Sequence, residues 1–408
     1  MVSPCVRCLV VLAAGTFACG GSASAAHPGD GGTAAADATS DSSALDTGSP
    51  VAADSGTITA PDACGADIQN DPRNCGACGL DCGPSACRAG FCTPMPVALV
   101  TGQNPDRIAV DISSVYWIDR GSTNAIMYCG LSGCVGQPTV LWSGMQGILA
   151  LAVQRGSVLF PMRAGQAPIT TWVASCSIAG CSGSFTVLAA LPNLQIAGFG
   201  ADATTTYFTA GDLESCPIAG CANTPAILDA YGDAGINGAS ALAVGGGNLA
   251  WMDEMGHVMA CPTSGCRGAT RAVGIASPRT TVMAVDGGRV YWIDPGRPPP
   301  AAGPYTGGAV LSCPLAGCGS GRAVLASYAQ WLPGAAMAVD ASNVYWTTED
   351  ASGSYGEVVR CALGGCAGQP TPIATTAAYG AATAGLALDA TNVYWSDARR
   401  GEILTLPK

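Results

Sequence analysis

The chain has 408 residues, only 11% of them Asp, Glu, Lys or Arg, and a formal net charge of −11. The balance of 17 bases against 28 acids, with Lys408 the single lysine, excludes the basic footprint of a nucleic-acid-binding protein. Its 56 Gly and 27 Pro favour turns and short strands over long helices, and 21 Cys are too many for a reducing compartment.

Arg7 precedes an apolar stretch from Leu9 to Ala18, too short to span a bilayer but suited to the core of an export signal. "TFACGGS" follows and sets Cys19 behind a small residue. This run resembles a bacterial lipoprotein signal, with Thr16 where that family prefers Leu. The resemblance implies lipidation of Cys19 and a cell-envelope or surface location. The membrane is then met only through the lipid anchor. Ordinary secretion, with cleavage after Ala23-Ser24-Ala25, is the alternative. We therefore read residues 1–18 as signal peptide. Residues 19–62 hold Ala, Gly, Ser, Thr and Asp with almost nothing large to bury, which predicts a disordered tether.

Residues 63–93 form a cysteine-rich module, "CGADIQNDPRNCGACGLDCGPSACRAGFC". Six cysteines (Cys64, Cys75, Cys78, Cys82, Cys87 and Cys92) in so short a piece predict three disulfides, in any of 15 pairings. A zinc site using the C-x2-C pair Cys75 and Cys78 is the alternative, weakened by the lack of a His partner. The run from Asn74 to Cys92 resembles the module of stigma-specific (Stig1-like) proteins. That resemblance implies a disulfide knob without chemistry, and we expect a rigid spacer.

From residue 95 to 408 the chain repeats one unit: apolar-Ala-Val-Asp, a short turn, then Val-Tyr-Trp-x-Asp. "MAVDGGRVYWID", "MAVDASNVYWTT" and "LALDATNVYWSD" are its clearest copies. Its aromatic recurs at Trp117, Phe160, Phe208, Trp251, Trp292, Trp346 and Trp395. Each unit reads as four short strands, A to D, which predicts an all-β, seven-bladed propeller; six blades with one misread repeat is the alternative. The last unit, ending "GEILTLPK", lacks strand D. "MPVALVTG", residues 95–102, supplies it and closes the ring. The repeat resembles the YWTD propellers of receptor ectodomains and of bacterial proteins. The residues that carry it are Tyr116, Trp117 and Asp119; Tyr291, Trp292 and Asp294; Tyr345 and Trp346; and Tyr394, Trp395 and Asp397. The receptor propellers have six blades; what the family implies is extracellular ligand binding.

Six C-x4-C elements sit between strands C and D: Cys129–Cys134, Cys176–Cys181, Cys216–Cys221, Cys261–Cys266, Cys313–Cys318 and Cys361–Cys366. A four-residue loop sets its flanking residues opposite each other, within disulfide reach. We expect structural hairpin staples, with no metal site, because two ligands per blade cannot assemble a tetrahedral centre.

Strand order puts the A–B turns and these hairpins on one face, and the variable B–C and D–A loops on the other. Function is expected on the second face. There Asp119, Asp253, Asp294 and Asp397 open B–C loops, joined by Glu349 and Asp350. They suggest a partial carboxylate ring for Ca2+ or a cationic ligand, or else Asp residues that each cap their own turn. Tyr231, Tyr305, Tyr328, Trp331, Tyr355 and Tyr379 are candidate interface anchors. His27 and His257 are the only histidines, and no nucleophile-elbow sequence occurs. The reading is a monomeric, non-enzymatic binding or scaffold module for a protein or glycan, without nucleic acid. The alternatives are a lyase or hydrolase with a carboxylate-lined axial site, and a purely structural envelope protein.

Overall fold

The computed structural model describes residues 65–408 except 77, 89, 100–103, 122–123, 135–136, 145–146, 165–168, 182–183, 231–240, 254, 278–279, 281, 287, 298–304, 320, 332–335, 350–355, 376–384 and 399. Cys19, Cys64, Tyr231, Asp350, Tyr355 and Tyr379 lie outside the described residues. Among the described residues there is no helix. Seven separate four-stranded antiparallel sheets follow one another, with a two-stranded sheet, Cys87–Arg88 and Phe91–Cys92, ahead of them. The fold is thus the seven-bladed propeller that the repeat predicts, and the six-bladed alternative is excluded.

Blade 1 shows the plan: strand A is Pro105–Val110, B Ser114–Asp119, C Ala125–Gly130 and D Thr139–Ser143. Blades 2 to 6 span 152–192, 198–229, 242–275, 283–331 and 337–375 in the same order. Blade 7 has A, B and C at Leu386–Leu388, Asn392–Asp397 and Glu402–Pro407. Its strand D is Met95–Leu99, paired to strand C with Met95 opposite Thr405.

Strand B explains the Tyr-Trp signature. Successive residues of a strand point to opposite faces. Trp117 therefore packs toward blade 7, beside Val97 and Ile403, while Tyr116 packs toward blade 2, beside Phe160. All seven aromatics of the repeat are 0% exposed.

The Asp that ends strand A and the Tyr of strand B are one device. Asp111 Oδ1 accepts from the backbone N–H groups of Ser113 and Ser114, and its Oδ2 accepts from the Tyr116 hydroxyl at 3.0 Å. Asp202 with Tyr207 and Asp389 with Tyr394 repeat this at 2.8 and 2.7 Å. Burial alone would raise these carboxyls. The donors around them outweigh it and hold all three below the ordinary 3.8. The three tyrosines are pushed up to about 12, by burial first and then by the Asp. Blades 2 and 4 lack both partners, having Gln154 with Leu159 and Gly245 with Ala250. Their turns instead use left-handed residues, Arg155 and Gly156 at φ 47° and 76°, and Gly246 and Gly247 at φ 56° and 73°. That is the two-residue hairpin geometry that Gly permits.

The C–D ladder is bulged in every blade, at the rung of Met127, Ala174, Glu214, Met259, Leu311, Val359 and Leu404. An extra residue on strand D bends the strand and frees its backbone groups. That residue is always aliphatic: Leu141, Leu188, Leu228, Val273, Leu325, Ile373 and Val97. The six C-x4-C pairs are disulfides, with Cα atoms 5.1–5.5 Å apart. They are more than staples within a blade, because each meets the bulge of the preceding blade. Cys134 N donates to Val97 O at 3.0 Å, Cys221 N to Leu188 O at 3.3 Å, and Cys318 N to Val273 O at 3.0 Å. Cys366 Sγ lies 3.1 Å from Leu325 O.

The cysteine-rich module carries Cys75–Cys87 and Cys82–Cys92 disulfides, and Cys78 is also disulfide-bonded. This overturns the zinc alternative. Cys75, Cys82 and Cys92 are the only trio of possible ligands within 4.8 Å among the described residues, and all three sulfurs are already bonded. Nor is the module a detached spacer, because its cysteines share one buried cluster with blades 6 and 7.

Candidate functional site

The B–C and D–A loops form the face opposite the disulfides. The four Asp that open B–C loops each accept from backbone N–H groups close by. Asp119, 5% exposed, accepts from the N–H groups of Asn104 and Gly121, both at 2.9 Å. Asp253 accepts from His257 N and meets His257 Nδ1, both at 2.8 Å. Asp294 caps Gly296 at 3.0 Å, and Asp397, 1% exposed, caps Arg400 at 3.0 Å. Bonds of this kind are the reason Asp opens turns. The four carboxylates are spread over four blades, and no trio of acids lies within 4.8 Å among the described residues.

At the axis, this face opens a cavity of about 300 Å³, lined by the first residues of the seven innermost strands. Arg107, Leu149, Phe199, Leu242, Met283 and Met337 are among them, and among the described residues Arg107 is the one charged residue of the lining. Glycines let the inner strands come together. A Cβ on Gly385 would sit 2.8 Å from Ile108 N, and one on Gly198 would sit 2.6 Å from Leu242 Cβ. Ala243 and Ala284, small residues of the same strands, are each 7% exposed. Small residues on the innermost strands are the mark of this close approach in the sequence, and glycine carries it as alanine does.

Among the described residues, blade 5 is built differently from the others at this face. Its strands C (Tyr305–Pro314) and D (Ala323–Trp331) run on past the last rung with strand B, where Asp294 faces Ala309. The extra length is a two-stranded arm with Tyr305 opposite Trp331 and Thr306 opposite Gln330. Gly307 takes φ 72° within it, a left-handed backbone that favours glycine. Trp331 lies five residues before Ala336, which lines the axial cavity. The arm and the cavity mouth are therefore neighbours along the chain. Tyr328 has a different place: its hydroxyl accepts from Trp346 Nε1 at 2.9 Å and the ring packs in the cluster between blades 5 and 6. Burial raises its pKa strongly.

His257 is 38% exposed, and its Nδ1 lies 2.8 Å from Asp253 Oδ2. Arg120 crosses from blade 1 to blade 2. It bonds Asp106 Oδ2 at 2.8 Å through Nε and Ile148 O at 2.5 Å through a terminal nitrogen.

No family model matches the chain, and no curated protein matches it. Solved structures do. A chain of the mitotic checkpoint complex aligns with TM-score 0.51 and 10% identity, over 78% of this chain and 91% of that one. BamB from Moraxella catarrhalis aligns with TM-score 0.42 and 13% identity, over 74% and 82%. The PQQ-bound aldose sugar dehydrogenase from Streptomyces coelicolor aligns with TM-score 0.46 and 13% identity, over 77% and 96%. At these identities the likeness is one of fold alone.

Proposed function

We propose that the chain is an exported, lipid-anchored surface module that holds a protein or glycan through the arm of blade 5, beside the axial mouth. The observation that supports this most is the arm itself. It is a local extension of a regular blade, it carries Tyr305 opposite Trp331, and it leads directly to the cavity wall. Rigid aromatic side chains on a fixed scaffold are the usual anchors of an interface. The lipoprotein-like signal at Cys19 and the YWTD-like and Stig1-like resemblances fit the same extracellular setting. Binding rather than acid-base chemistry is favoured by a cavity lining whose one charged residue, among the described residues, is Arg107. Calcium has no part in the proposal, since Asp119, Asp253, Asp294 and Asp397 each already accept from backbone N–H groups.

The test uses the processed chain with disulfides formed, fluorescently labelled and titrated onto intact producing cells that lack their own copy. Saturable binding is expected. It should weaken at least tenfold in Tyr305→Ala/Trp331→Ala with unchanged melting, and persist in EDTA. Equal binding by the variant refutes the arm as the site. Labelled palmitate should enter the wild type and not Cys19→Ser; a wild type that takes up none is secreted without an anchor.

A further inference from the structure

We infer that the cysteine-rich module is the seventh inter-blade joint: it stands in for the disulfide hairpin that blade 7 lacks, and closure of the ring depends on its cystines.

The reasoning starts from what repeats. Seven buried clusters hold the blades together, and six pair the bulged aliphatic of one blade with the C-x4-C cystine of the next. Leu141 lies with Cys176 and Cys181, Leu188 with Cys216 and Cys221, and Leu228 with Cys261 and Cys266. Val273 lies with Cys313 and Cys318, Leu325 with Cys361 and Cys366, and Val97 with Cys129 and Cys134. One bulge remains, Ile373 of blade 6. Blade 7 has no C-x4-C element to offer it, because its strands C and D come from distant parts of the chain. Ile373 instead shares its cluster with Cys75, Cys82, Cys87 and Cys92, which are 0%, 0%, 6% and 7% exposed. The same cluster holds Leu404 and Leu406 of blade 7. A Cβ on Gly83 would lie 3.0 Å from Pro407 Cγ, so the module also touches the end of strand C.

Connectivity adds a second argument. Strand D of blade 7 begins at Met95, three residues after Cys92, and Cys92 is bonded to Cys82. In blades 1 to 6 a short covalent loop keeps strand D beside strand C. In blade 7 the module does this by packing on strand C and on blade 6 while holding the start of strand D. Met95–Leu99 then passes its own bulge, Val97, to Cys134 of blade 1.

Hydrogen exchange of the full chain tests this. In Cys82→Ser/Cys92→Ser, amides of Thr371–Thr375, Glu402–Pro407 and Met95–Leu99 should lose at least tenfold in protection, while blades 2 to 4 stay as in the wild type. In Cys216→Ser/Cys221→Ser, the loss should fall on blades 2 and 3 instead. If the first variant does not fold, the native chain is reduced stepwise with a dithiol. Each cystine becomes two thiols as the dithiol becomes its cyclic disulfide, and the new thiols are alkylated and mapped. The three named strands should lose protection as Cys75–Cys87 and Cys82–Cys92 open. Full protection of those strands with both module cystines open overturns the inference.

Discussion

Glu214 is the one acid at the bulge rung of the seven C strands. Met127, Ala174, Met259, Leu311, Val359 and Leu404 hold that rung elsewhere. It faces Phe208 across the ladder, and its Oε2 is buried without a hydrogen-bond partner. Burial, and then the nearby charge of Asp212, push its pKa up from 4.5 to about 7. The folded chain therefore binds this proton more tightly than the unfolded chain. Its stabilising share is complete below about pH 4.5, falls as pH rises through about 7, and is gone above. At 1.36 kcal/mol per pKa unit the ceiling is roughly 3 kcal/mol. The carboxyl is only half-buried, and solvent screening reduces this to about 1 kcal/mol. Glu214→Gln keeps the shape and removes the charge. Denaturant titrations with disulfides intact should give equal midpoints for the two proteins at pH 4 and a variant more stable by about 1 kcal/mol at pH 8. Glu357 and Glu402 are also raised by burial, so both proteins keep a common slope, and the gap between them is the quantity to read. A gap that stays at zero from pH 4 to 8 would refute the reasoning.

The Asp-Tyr device makes a contrast within one molecule. Tyr394→Phe should cost about 1 kcal/mol in a urea titration, because it removes the bond to Asp389. Tyr291→Phe should cost less, since the Tyr291 hydroxyl has no Asp bond and meets only the Arg289 side chain, outside good hydrogen-bond geometry. Asp389→Ala, which also strips the donors Thr391 and Asn392, should cost about 1–2 kcal/mol at pH 7. That cost should shrink as pH falls below 3.8 and on through the lower pKa of the folded carboxyl. Lys408→Ala should cost about 1 kcal/mol, less at high salt, because Lys408 Nζ lies 2.9 Å from Asp340 Oδ2 in a mostly buried pair joining blades 7 and 6. Gly385→Ala should lower the melting temperature by several degrees, its methyl running into Ile108 at the axis.

The blade count was readable because the repeat is a packing rule. A Tyr-Trp pair on a strand needs apolar neighbours on both sides, and only a neighbouring sheet on each side supplies them. The turn chemistry was half readable. The repeat shows an Asp before its short turn, but the bond from Asp111 to Tyr116 joins residues five apart and shows only when both are folded. Its trace in the sequence is that Asp and Tyr vanish together, at Gln154 with Leu159 and at Gly245 with Ala250. The bulges left a fainter mark, one aliphatic residue per strand D among others like it. The module's place could not be read, because packing against Ile373 links segments nearly 300 residues apart.

For the site, residue type proved a weaker guide than strand length. Asp119 and Asp397 and the aromatic Tyr328 attract notice by chemistry, yet each is taken up by its own surroundings: a turn for the acids, the Trp346 indole for the phenol. Tyr305 and Trp331 differ from these because they lie on rungs that strand B does not reach. Those rungs have no inner strand beside them, and the other blades keep their place in the ring without this arm. The arm is an addition to the blade plan, which is the physical reason to mutate Tyr305 and Trp331 before the acids.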